Sequence, residues 1–117
     1  MRLRSLLFVP GDRPERMEKA LGLGADALIL DLEDAVAPVA KPAARAAVAA
    51  FLTGARRECA LFVRINPLDG GLAEADLAAV LPGAPDGIVL PKAEGAESLR
   101  RLDTLLAGSD ARILPVA

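Results

Sequence analysis

The side chains best placed to do chemistry are Asp31, Glu33 and Asp34, three carboxylates within four positions directly after the apolar run Ala27-Leu28-Ile29-Leu30. A short continuous apolar run is how a strand of a buried parallel sheet reads. Acids at the carboxyl end of such a strand stand where parallel α/β folds bind their ligands. There they can exchange protons, approach a hard cation or hold a cationic side chain. The competing reading is a solvated loop in which Asp34 lies near a helix start.

Two further strand ends carry polar groups. Arg64 and Asn66 close the apolar stretch Cys59 to Ile65 before Pro67, and Lys92 and Glu94 follow Gly87 to Leu90 and Pro91. Asp31 and Glu33 share one parity, as do Arg64 and Asn66, so each pair can point to one side while strand geometry lasts. An Arg at such an end suits two-pronged capture of a carboxylate, and an ion pair with Glu33 or Asp34 is its structural alternative. Gly11, Arg13, Arg16 and Lys19 form another group, a loop and first helical turn where cations and free amides favour phosphates. Cations on an exposed helix face are the plainer reading.

Composition narrows the chemistry. The 117 residues contain no His and a single Cys, Cys59, which removes disulfides, Cys/His zinc sites and Ser-His-Asp or Cys-His nucleophiles. Acid–base work falls to carboxylates or Lys. A net charge of −2, a pI near 5.1 and the absence of Trp and Tyr exclude a nucleic-acid surface. Hydrophobic content of 53% and a mean hydropathy of +0.36 build an ample core from small aliphatic side chains. The apolar run at Ser5 to Val9 ends at Pro10-Gly11, too short for a signal peptide, and no stretch is long enough to cross a membrane. The expected location is cytoplasmic.

Positioning these groups requires alternating strands and helices. Strands are predicted near residues 5–9, 27–32, 59–65, 87–90 and 112–117. Between them lie a helix from Arg13 to about Leu21 with Pro14 in its first turn and Asp12 as N-cap, an Ala-rich helix from Lys41 to Leu52, a short one from Leu72 to Val80, and one from Ala96 to Leu106. Met17, Ala20, Leu21, Ala44, Val48, Phe51 and Leu52 are expected to face the core. Repeated βα units call for an α/β fold with a parallel sheet and right-handed crossovers. Five strands could form a small doubly wound sheet or the first part of an eight-stranded barrel. The chain ends on apolar Ala117 with no covering helix after its last strand, which favours the barrel.

Four blocks carry a family resemblance: L-L-F-V-P-G-D-R-P-E-R-M-E-K-A (Leu6 to Ala20), D-L-E-D-A-V-A-P-V-A-K-P-A-A-R (Asp31 to Arg45), V-R-I-N-P-L (Val63 to Leu68) and G-I-V-L-P-K-A-E (Gly87 to Glu94). In order and at compatible spacing, they resemble the citrate lyase beta subunit and its relatives in the HpcH/HpaI aldolase group. The resemblance implies a (β/α)8 TIM barrel of phosphoenolpyruvate-mutase-like type. Residues 1–117 would be its amino-terminal part, a single domain cut at strand 5. It implies a Mg²⁺-dependent lyase that cleaves a carbon–carbon bond in a citryl-, malyl- or citramalyl-thioester, giving a keto acid and an acyl thioester.

Carried over by position, Arg64, Glu33 and Asp34 would be catalytic, with Arg64, Asn66 and Lys92 binding substrate. Phe8, Pro10, Gly11, Arg13 and Lys19 would lie near the arm of coenzyme A or a carrier protein. Expected partners are the thioester, the keto acid, further copies in a trimer or hexamer, and other citrate lyase subunits. Two departures matter. Many relatives have a Thr where this chain has Asp69-Gly70-Gly71, and the family's metal-binding Glu and Asp lie past Ala117, so no direct Mg²⁺ ligand is expected in these residues and the chain alone is expected to be inactive. The alternatives are a non-catalytic five-strand binding or signalling domain and an inactive remnant. A signalling receiver needs an acid pair after strand 1, an Asp after strand 3 and a Lys after strand 5, where this chain has Val9-Pro10-Gly11, Arg64-Ile65-Asn66 and no Lys.

Overall fold

The computed structural model describes residues 5–91, 95–107 and 112–115. Strands and helices alternate through them as β1 (Leu6–Pro10), α1 (Pro14–Ala20), β2 (Ala27–Asp31), α2 (Lys41–Gly54), β3 (Ala60–Arg64), α3 (Ala73–Val80), β4 (Gly87–Leu90), α4 (Gly95–Leu105) and β5 (Arg112–Pro115). The strands pair in the order β1-β2-β3-β4-β5, each neighbour parallel. A doubly wound sheet of the flavodoxin kind has the order 2-1-3-4-5 and helices on both faces. Sequential pairing with right-handed crossovers sends every helix to one face, which is the winding of a barrel. Strand order therefore removes the doubly wound alternative, and the receiver-type signalling domain with it.

Side-chain alternation divides the sheet. Leu28, Leu30, Leu61, Val63, Ile88 and Leu90 point to the helices and share a core with residues such as Met17, Val48 and Leu77. The alternate positions Ala27, Ile29, Ala60, Phe62 and Val89 form a second buried cluster that has no helical member. A twisted sheet that curls turns this face onto itself, so the cluster is covered without a helix layer. Across that face the register sets Pro10, Asp31, Arg64 and Val89 in one row, with Phe8, Ile29, Phe62 and Gly87 in the row below.

At the opposite end of the sheet one device occurs twice. Asp26 and Asp86 each precede a strand, and each accepts a backbone N–H, from Ser5 at 2.9 Å and from Leu61 at 2.8 Å. The sequence echoes it as Ala25-Asp26-Ala27-Leu28-Ile29-Leu30 and Pro85-Asp86-Gly87-Ile88-Val89-Leu90.

One expected detail is corrected. The N-cap of α1 is Arg13, not Asp12, and no side chain caps the helix. Proline at the first helical position fixes the residue before it in an extended conformation, so the helix starts one residue later than an Asp12 cap allows. Lys92 and Glu94 lie outside the described residues.

Candidate active site

Polar groups converge where β2 and β3 end. Leu30 and Val63 pack beneath the helices, so Asp31 and Arg64, one step further along each strand, turn to the opposite face as register partners. Arg64 Nε donates to Asp31 Oδ1 at 2.8 Å and Nη2 donates to Oδ2 at 2.6 Å, a two-pronged ion pair. The backbone N–H groups of Glu33 and Ala35 also donate to the Asp31 carboxylate, at 2.8 and 3.0 Å. A carboxylate has about four acceptor positions, and these contacts use them all. Burial pushes the Asp31 carboxyl up, but the Arg64 hydrogen bonds, the two backbone N–H groups and the guanidinium charge together hold it below its ordinary range. The hydrogen bond to Asp31 in turn raises Arg64.

A second contact fixes the guanidinium. Its carbon lies 4.8 Å from the centroid of the Phe8 ring, close enough for a cation–π attraction. Glu33 Oε1 lies 3.7 Å from Arg64 Nε. The Nη1 edge of Arg64 donates to no described residue, and 20% of the side chain remains in contact with solvent. Among the described residues the cation is thus gripped along one edge and unpaired along another, a geometry that can receive one carboxylate from solution. The partner expected from the sequence was Glu33 or Asp34; it is chiefly Asp31, because register sets Asp31 directly beside Arg64. Asp34 is exposed in the turn that follows.

The turn carrying these acids is held by Asn66 and by two groups that reading the sequence passed over, Lys41 and Asp76. Lys41, buried at the start of α2, donates from Nζ to the carbonyls of Leu32 and Glu33, both at 2.9 Å. Asn66 donates from Nδ2 to the Leu32 carbonyl at 3.0 Å and to Asp76 Oδ2 at 2.8 Å. Asp76 is fully buried, accepts the Asn66 backbone N–H as well, and is ion-paired at 2.7 Å with Arg45 Nε. A signal for Asp76 was present: it shares the apolar stripe of α3 with Ala73, Leu77 and Val80. Lys41 likewise lies on the stripe that continues through Ala44, Val48 and Phe51.

The five residues expected near a carrier arm separate in the structure. Phe8 and Pro10 share the face of Arg64. Gly11 is buried, with its N–H on the Asp31 carbonyl at 2.8 Å. Arg13 and Lys19 are exposed, and Lys19 with Arg16 borders a groove of about 210 Å³ beside Leu7, Phe8 and Pro10. Among the described residues no group of three potential metal ligands comes together, and the Asp31 oxygens are already committed to N–H donors.

A model of the HpcH/HpaI aldolase/citrate lyase family matches residues 4–113. The chain belongs to this family. Among family members, a (3S)-malyl-CoA thioesterase of Cereibacter sphaeroides is 40% identical over 107 residues, covering 88% of this chain and 36% of that protein. The citrate lyase subunit beta of Leuconostoc mesenteroides is 37% identical over 92% of this chain, again 36% of its own length. The chain therefore spans about a third of these relatives. Among solved structures, the Mycobacterium tuberculosis protein CitE in complex with magnesium, acetoacetate and coenzyme A superposes with a TM-score of 0.76 at 41% identity, over 97% of this chain and 39% of that one.

Proposed function

We propose that residues 1–117 are the first part of a single (β/α)8 barrel domain that cleaves a carbon–carbon bond in a hydroxy-acyl thioester, with Arg64 as the seat for the carboxylate of the half that leaves as keto acid. In this reading the substrate hydroxyl loses its proton and becomes the keto oxygen. The adjacent carbon–carbon bond breaks, and its electron pair forms the enolate of the acyl thioester, which then takes up a proton. Arg64 binds and orients the carboxylate next to the bond that breaks, and its charge opposes the negative charge that builds on the oxygen. Glu33, beside Arg64, and Asp34, on the exposed rim, are the carboxylates to which this reading assigns proton transfer. Phe8 and Pro10 form the floor. The exposed Lys19 and Arg13 would meet the phosphates of the thioester carrier. A Mg²⁺ like that bound by the mycobacterial neighbour requires ligands from outside the described residues, and none of these steps is assigned to it.

The observation that carries the reading is the immobilised guanidinium at the carboxyl end of β3, whose Nη1 edge no described residue uses. The test is cleavage of malyl-, citramalyl- and citryl-thioesters by the full-length barrel of which these residues would be the first part, and by its Arg64→Lys variant, with the acyl thioester and free thiol measured separately. Lys keeps the charge and loses the second edge, so turnover should drop about 100-fold with the fold intact. Unchanged turnover would assign Arg64 to structure alone. Release of free thiol without keto acid would make the reaction a hydrolysis, as the name of the Cereibacter relative describes.

A further inference from the structure

Lys41 is a buried ammonium that the cleavage scheme does not use. Its position is unfavourable twice over: burial penalises the charge, and the first turn of α2, which contains no acidic residue, is the positive end of the helix dipole. Among the described residues its Nζ meets two backbone carbonyls, those of Leu32 and Glu33, and no carboxylate. A charge kept where local rules oppose it points to a group that serves something other than its own helix.

Both carbonyls lead to the same carboxylate. The carbonyl and the N–H of a trans peptide point in opposite directions. The Leu32 carbonyl accepts from Lys41 at 2.9 Å, and the Glu33 N–H at the other end of that peptide donates to Asp31 Oδ1 at 2.8 Å, the oxygen that also receives Arg64 Nε. The Glu33 carbonyl accepts from Lys41 at 2.9 Å and from the Val36 N–H at 3.1 Å. That closes the turn in which the Ala35 N–H donates to Asp31 Oδ2, the oxygen that receives Arg64 Nη2. Each oxygen of Asp31 is thus reached from Lys41 through one peptide or one turn.

We infer that Lys41 is a positioning residue: it fixes the Leu32–Glu33 peptide and the Glu33–Val36 turn, and so the Asp31 carboxylate that aims Arg64. The inference rests on the reading of Arg64 as a carboxylate seat and adds the group that sets its aim. A charge-assisted hydrogen bond is stronger than a neutral one, and successive hydrogen bonds polarise one another, so the ammonium strengthens the Glu33 N–H as a donor to Asp31. Asn66, the second donor on the Leu32 carbonyl, is neutral and reaches one of the two carbonyls. Without Lys41 the peptide can rock and take its N–H off Asp31.

The experiment uses the full-length barrel of which these residues would be the first part, and compares the parent with Lys41→Met, Arg64→Lys and the two combined. Met fills much of the same volume without the charge; if that variant does not fold, Lys41→Gln, which keeps one NH2 group for the two carbonyls, takes its place. Two quantities are read well below the unfolding temperature. One is the pair of Arg64 Nε–H and Glu33 N–H resonances in ¹⁵N-labelled protein, the former assigned by its loss in Arg64→Lys, and the other is turnover of malyl-, citramalyl- and citryl-thioesters. Lys41→Met should shift both resonances and lower turnover about tenfold, a misaimed group costing less than a lost one. The combined variant should turn over no more slowly than Arg64→Lys, because Lys41 acts only through Arg64. Unmoved resonances, unchanged turnover, or losses that multiply in the combined variant would overturn the inference and leave the Arg64 reading standing. A parent that cleaves none of the thioesters, or an Arg64→Lys variant as fast as the parent, would overturn that reading and this inference together.

Discussion

Arg64 is restrained by Asp31 along one edge and by the Phe8 ring across its face, and these restraints respond differently to pH. The folded pKa of Asp31 lies below the ordinary carboxylate value near 3.9. Its stabilising contribution is therefore complete above that value and is lost as pH falls through the lower folded value. Asp31→Asn should unfold at a lower urea concentration than the unsubstituted protein at pH 7, and the difference should shrink below about pH 4. A difference that stays constant down to pH 3 would contradict this. Asp31→Ala should cost about 3 kcal/mol, at the low end for a broken buried pair because Arg64 keeps a fifth of its side chain in solvent. At this scale the sequence was legible for single residues and not for pairs. Arg64 and Asn66 were placed correctly at the end of a strand, whereas the Asp31 partnership depends on register between two strands that nothing local encodes. Asp76 and Lys41 were missed because a charged side chain on a helix is usually solvated, although their positions on apolar stripes contradicted that.

Elements were easier to read than partnerships. The residues predicted for β4 are those observed, and α2 runs only two residues past Leu52, because an apolar run bounded by turn residues and an Ala-rich stripe are local properties. Capping of α1 was less legible, since Asp12 and Pro14 both mark a helix start and the fixed backbone of Pro14 prevailed. Between β1 and α1, Gly11 is required by close approach: a Cβ there would lie 2.7 Å from the Asp31 carbonyl oxygen and 2.9 Å from a Val48 methyl. Both neighbours belong to packed structure and cannot easily yield. Gly11→Ala should destabilise the fold by about 1–3 kcal/mol and displace the end of β2. Thermal unfolding measures the first effect and the backbone amide shifts of Glu33 and Ala35 the second; an Ala variant as stable as the parent with unshifted amides would show that this approach is loose.

For the molecule as described, the outer strands have open sides. β1 pairs only with β2 and β5 only with β4, and Leu6 and Phe8 on β1 are 51% and 49% exposed. Unpaired edges beside exposed apolar side chains invite association. The 117-residue chain prepared alone should therefore show a mass by light scattering that rises with concentration, and Leu6→Lys should reduce that rise. A monomer at every concentration would show that this edge is protected. The winding itself was legible only in part: the repeating βα pattern was present in the sequence, but the choice between two ways of ordering the strands became plain once the pairing was known.

Sequential pairing also bears on how the chain is made. Each strand joins the one completed just before it, so the sheet can grow in the direction in which a ribosome releases it, without waiting for distant segments. Phe8, Asp31 and Arg64 come from the first three strands, and Asp76 from the helix that follows. The anion seat and its inner support can therefore assemble once about 80 residues have emerged, a few seconds into synthesis at ordinary translation rates. The growing edge remains open at each stage, so translation speed and chaperone access belong to the biology of this fold as much as its finished packing does.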